Sequence, residues 1–144
     1  MKPLLSLLSM VLFSAVAASQ NLLVVDINGN PGSQFTTIQA AIDAASPGDT
    51  IVVRSGLYEG MVIDKALTIV ADGIVAVSGT APRTGLVVRD LPPGSDVVVK
   101  DFSFFLFGPI WFYLQDNRGR ILLDGLKSPV PSRCLIRDSD QDYR

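Results

Sequence analysis

The sequence contains no histidine, one cysteine (Cys134) and one glutamate (Glu59). Without histidine, Ser-His-Asp and Cys-His nucleophile activation are excluded, as is His-ligated zinc. One cysteine supports neither a thiolate cluster nor an internal disulfide. Cys134 therefore reads as a small apolar residue beside Leu135 and Ile136. The other thirteen acidic residues are aspartates, which favour turns and strand ends over long helices.

Long apolar runs are also missing. The stretch Leu4 to Phe13 follows Lys2 and precedes the small residues Ala15, Ala17, Ala18 and Ser19, the pattern of a secretory signal peptide over residues 1–19. It is too short for a membrane span, which needs roughly 20 residues. The run "FSFFLFGPIWFYL" is likewise short and is broken by Gly108-Pro109, so no membrane span is expected after signal removal. Setting Lys2 aside leaves 11 basic against 14 acidic residues, a net charge of −3, which argues against nucleic acid or an anionic membrane as partner. The expected location is secreted, periplasmic or on the cell surface. Residues 20–144 are long enough for one domain.

What is present is one helix followed by short β-type runs. Thr36 and Gln39 have capping-box spacing, and Ile38, Ala41, Ile42 and Ala45 form an apolar stripe. Pro47-Gly48 ends the pattern, predicting a helix over about 37 to 46. Seven short runs follow: IVV at 51–53, LTIV at 67–70, IVAV at 74–77, LVV at 86–88, VVV at 97–99, ILL at 121–123 and CLI at 134–136. Gly, Pro, Asp and Ser separate them.

Internal repetition organises these runs. "GLVVRDLPPGSDVVVKDFSF" and "WFYLQDNRGRILLDGLKS" share a strand, an aspartate, a polar turn, a second strand and another aspartate. Asp90 and Asp116 are 26 apart, Asp101 and Asp124 are 23 apart, and "RCLIRDSDQ" opens a third copy with Asp138 22 beyond Asp116. A period of this length matches one turn of a β-solenoid, whose strands stack in parallel. The expected fold is all-β: a right-handed parallel β-helix of about four to five coils with an N-terminal capping helix. An antiparallel β-sandwich is the alternative.

Residues 35–70, "FTTIQAAIDAASPGDTIVVRSGLYEGMVIDKALTIV", closely resemble the N-terminal segment of right-handed parallel β-helix proteins of the pectate-lyase and pectinesterase type. The resemblance rests on Phe35, the helix Thr37 to Ala45, the strand Gly48 to Val53, the turn Gly56 to Glu59 and the lead-in "VVDINGNPGSQF", roughly a third of the mature chain. It implies fold rather than activity, because the catalytic residues of such enzymes lie on later coils. "DFSFFLFG" at 101–108 echoes a pectinesterase strand but is two residues too long and lacks the companion motifs. Asp101 and Asp124 are expected to stack, yet two carboxylates fall short of the six to eight oxygens that calcium takes. No metal, cofactor or catalytic residue is therefore assigned. Tyr58 and Glu59 read as structural, with Gly56 supplying a positive φ.

Trp111 and Tyr113 share parity and precede Asp116, Asn117 and Arg118. If that parity faces outward, Trp111, Tyr113, Asp116 and Arg118 form an aromatic and charged surface on which a sugar could stack; the alternative puts Phe112 and Leu114 outside. The expected function is an exported, noncatalytic β-helix module that contacts polysaccharide or serves display or scaffolding. The alternative is a fragment of a polysaccharide lyase or esterase. The third repeat stops at Asp142-Tyr143-Arg144 with no closing element, which predicts a longer or decayed β-helix that self-associates through an uncapped C-terminal coil.

Overall fold

The computed structural model describes residues 19–78, 85–105 and 112–128, and the backbone of 134–137. Residues 1–18 of the signal peptide read over 1–19, Trp111, and Asp138 and residues 142–144 of the third repeat lie outside them. In chain order the elements are β1 (Leu22–Val25), α1 (Ile38–Ala44), β2 (Thr50–Glu59), β3 (Met61–Ile63), β4 (Leu67–Ser78), β5 (Leu86–Arg89), β6 (Asp96–Lys100), β7 (Ser103–Phe105), β8 (Phe112–Gln115), β9 (Arg120–Asp124) and β10 (Cys134–Arg137). Among the described residues the fold is mainly β, with two parallel sheets and one helix. One sheet runs β1-β2-β4-β6-β9, with β7 also pairing β4, and the other runs β10-β8-β5-β3. Every ladder between these strands is parallel, which overturns the antiparallel sandwich.

The register stacks like on like. Ile51 lies opposite Ile69, Ile69 opposite Val99 and Val99 opposite Leu123 on the first sheet. On the second, Met61, Leu86 and Phe112 follow one another. Strand alternation sends these residues inward, where Ile51, Ile69, Val99 and Leu86 are fully buried. Tyr58, Val77 and Phe104 make a third inward row along the later half of β2 and β4 and along β7. Phe104 meets Phe112 edge-on at 5.0 Å and Phe102 at 6.3 Å, so three buried aromatics join the two sheets.

The runs 67–70 and 74–77 belong to one bent strand, β4. The bend is a bulge: Arg54 pairs with Asp72 but Gly56 with Val75, leaving Gly73 and Ile74 opposite Ser55 alone. Gly73 takes φ +94°, and the Ser55 hydroxyl accepts from the Ile74 N–H at 3.0 Å in place of the missing rung. Gly56, in contrast, does not occupy the left-handed region expected of it. A Cβ there would stand 2.9 Å from Ile27 Cγ2 and 3.0 Å from Tyr58 Cε2, so close approach to the buried tyrosine excludes a side chain.

Helix α1 is shorter than predicted, and its N-cap is Thr37 rather than Thr36: the Thr37 hydroxyl accepts from Ala40 N at 3.3 Å. Gln39 does not close a capping box. Its amide reaches the edge strand β3, accepting from Val62 N at 2.8 Å and donating to Val62 O at 3.3 Å. The side-chain amide thus copies a peptide unit and satisfies a strand that, among the described residues, has no neighbouring strand on that side. At the first sheet's edge, Gln34 Oε1 accepts from Val24 N at 2.7 Å while Gln34 N donates to Val24 O at 3.0 Å. Ile38, Ala41 and Ile42 press the helix onto the core, and Lys65 Nζ donates to the Ile42 and Ala45 carbonyls at 3.2 and 3.3 Å.

Candidate functional site

Of the predicted sugar-contact residues, Tyr113 lies on β8 and Asp116 and Arg118 in the turn after it. Phe112 is buried and Leu114 packs against the core, so alternation turns Tyr113 outward and overturns the opposite parity. Tyr113 continues an outer row from Val62 and Val87. The next outward position in that strand pairs Arg89 with Gln115. Beyond it the chain turns sharply at Asp90 and Asp116, both in the left-handed region at φ 56° and 50°, which aspartate tolerates through local hydrogen bonding.

Gln115 Nε2 donates to Asp116 Oδ2 at 2.9 Å, and Arg89 Nε approaches Asp90 Oδ2 at 3.9 Å. Asn117 faces the neighbouring turn instead of solvent alone: its amide donates to Val88 O at 2.9 Å and accepts from Leu91 N at 3.2 Å. Arg118 N donates to Leu91 O at 2.9 Å, and the residue is exposed. The result is a half-buried phenol on the strand that leads into a polar turn region holding Arg89, Asp90, Gln115, Asp116 and Arg118.

The other paired aspartates do not stack as expected. Lys100 lies opposite Asp124, placing Asp101 level with Gly125. Asp101 at φ 64° and Gly125 at φ 63° share a left-handed corner, and a Cβ on Gly125 would collide with the Asp101 carboxylate. Corner geometry, rather than shared residue type, therefore sets this register. Asp124 instead approaches Lys100 Nζ at 3.9 Å. Among the described residues no three His, Cys, Asp or Glu side chains converge as a metal ligand set. Among them, too, no helix is long and apolar enough to cross a membrane.

Two carboxylates that no sequence motif singles out, Asp26 and Asp49, are buried. Asp26 accepts from Asn28 N at 2.9 Å, Asn30 Nδ2 at 2.9 Å and Arg54 Nη1 at 3.3 Å. Asp49 accepts from Asn21 N and Ser46 N, each at 2.8 Å. The Asn28 N–H holds Asp26 below its ordinary pKa, and the Asn21 N–H does the same for Asp49, against the opposing effect of burial. Asp26 and Asp49 lie in the turn sequences "DINGN" and "SPGD". Tyr58 lies close to Asp26, accepting from Ile27 N at 3.0 Å and donating to Arg54 O at 2.9 Å; burial raises its pKa and keeps it protonated. A cleft of about 400 Å³ opens there between Asp26, Arg54 and Asp72, but Arg54 is tied to Asp26 and to the Pro31 carbonyl.

Acid should expose this design. A carboxylate with a lowered folded pKa binds fewer protons folded than unfolded, so its contribution is complete above about pH 5 and disappears as pH falls through and below about 4. Denaturant titrations between pH 7 and 3 should show that fall. Asp49→Asn should be less stable at pH 7 and flatter over the same range; an unchanged slope would remove Asp49 from the account.

The chain matches no protein-family model, no curated protein and no solved structure.

Proposed function

We propose that this protein is an exported, noncatalytic module built as a right-handed parallel β-helix of four to five coils, and that its second sheet contacts polysaccharide around Tyr113. The solenoid reading is supported by parallel ladders at successive levels on both sheets, with the chain passing from one sheet to the other between them. Right-handedness follows the general preference of parallel crossover connections. The capping role of α1 is supported by Gln39, which occupies the free edge of β3. The resemblance of residues 35–70 to pectate-lyase and pectinesterase β-helices supports the same reading.

The observation that carries the sugar contact is the outward turn of Tyr113, next to Gln115, Asp116 and Arg118. An aromatic face offers a sugar ring its C–H surface, and the adjacent polar turn region supplies donors and acceptors for hydroxyls. The noncatalytic reading is supported by the carboxylates: Asp26 and Asp49 are stabilised as anions within turns, the reverse of what a general acid needs.

The test incubates the purified protein with polygalacturonate, methylated pectin and alginate, with and without calcium. Binding without unsaturated product or methanol is expected, weakened about tenfold or more when Tyr113→Ala and Trp111→Ala are combined. Turnover on any of the three would establish the lyase or esterase alternative, and unchanged binding in the double variant would move the contact elsewhere.

A further inference from the structure

The two ends of the parallel stack are finished differently. At the first end, the Gln34 and Gln39 amides occupy the edges of β1 and β3. At the other, β9 ends its sheet, and no described strand pairs with its outer edge. Burial falls off there: Val97 and Val99 are fully buried, whereas their β9 partners Ile121 and Leu123 are only partly covered and Leu122 is 51% exposed.

We infer that the outer edge of β9, unpaired among the described strands, pairs with β9 of a second copy, antiparallel about a two-fold axis through Leu122. The strand is Arg120-Ile121-Leu122-Leu123-Asp124, cationic at one end, anionic at the other and apolar between. Reversed onto itself, it sets Arg120 against Asp124 of the second copy and Leu122 against Leu122. β6 extends the match, because Asp96 lies opposite Arg120 and Lys100 opposite Asp124. The outer row across the joint then reads Asp96, Arg120, and from the second copy Asp124 and Lys100, alternating in sign throughout.

Within one chain, Arg120 already takes Asp96 through two bonds of 3.0 and 2.7 Å, leaving its side chain 82% exposed. On the inner side, Ile121 meets Leu123 of the second copy, completing the half-covered core rows. A head-to-tail stack is excluded at the capped end by the two glutamine amides. The association is therefore isologous and closes at two copies instead of growing into a filament.

The inference depends on the parallel pairing and not on sugar contact, so loss of polysaccharide binding in a protein that still dimerises would touch only the previous reading. Sedimentation velocity over a dilution series of the purified protein should show a monomer–dimer equilibrium. Arg120→Asp alone and Asp124→Arg alone should each weaken it roughly a hundredfold by opposing like charges. An equimolar mixture of those two variants should regain the dimer, since both pairs between the copies, position 120 of one with position 124 of the other, then join opposite signs. A parent that is monomeric at all concentrations, a dimer indifferent to either substitution, open-ended polymers, or variants that stay monomeric when mixed would each overturn the proposal.

Discussion

Replacement of Phe104 by alanine is expected to remove about 3–5 kcal/mol of stability. Phe104 is fully buried on β7, opposite Val77, and its ring touches both Phe102 and Phe112. Truncation deletes the transfer energy of the ring and leaves a cavity that strands held in register on several sides cannot collapse into. The loss also removes the edge-on contact with Phe112, worth about 0.5–1.5 kcal/mol beyond burial. Chemical denaturation followed by far-UV circular dichroism measures the effect. Phe105→Ala, one residue away but half exposed on the opposite face, should change stability by under about 1 kcal/mol. Equal effects at the two positions would mean that β7 faces the other way.

Gly119→Ala should cost about 2–4 kcal/mol, from overpacking together with the loss of ladder bonds. A Cβ on Gly119 would sit 2.5 Å from the Ser95 carbonyl oxygen and 3.2 Å from that of Pro92. Both obstacles are backbone, so no side-chain rotation relieves them. Ser95 O also accepts from Arg120 N at 2.8 Å, and Leu91 O from Arg118 N at 2.9 Å, so pushing the two turns apart weakens the bonds on either side of the glycine. Gly94→Ala is the control for backbone conformation: Gly94 has φ +79° but nothing within 4 Å of an added Cβ, so it incurs local strain only. Thermal melts of the two variants should place Gly119→Ala well below Gly94→Ala. The reverse order would show that the close approach of the two turns relaxes freely.

Much of this architecture was legible because buried parallel strands are short runs of branched aliphatics between turn residues. Each run noted from 51 to 136 falls in a strand, and the apolar stripe of the helix was correctly placed. The errors arose where a tertiary partner competed with a local one. Gln39 had the spacing to cap its own helix but is drawn to Val62, an attachment invisible without knowing that β3 lies at an edge. The three-residue strands β3 and β7 carry too little alternation to stand out alone. Asp101 and Asp124 looked equivalent by type, whereas the structure aligns Asp101 with Gly125 because both adopt the same backbone corner. For the candidate surface, parity linked Tyr113 to the Asp116 turn, but two orientations fitted until the burial of Phe112 chose between them. The burial of Asp26 and Asp49 is not legible in the sequence, because a turn aspartate that caps backbone N–H groups looks like any other aspartate in a loop.

The glutamine-sealed edge also bears on the order in which the structure forms. Its parts, Gln34, Gln39 and the strands they close, all lie within the first 63 residues, whereas the β9 edge, unpaired among the described strands, is contributed by residues 120–124. A ribosome delivers that first portion before the rest exists. The nascent chain can therefore complete a closed template early, and each later strand docks onto its predecessor on a single growing face, with the opposite face already denied to stray chains. Transplanted ahead of another parallel β stack, the same residues would act as a one-way stop, setting where assembly begins and the direction in which it proceeds.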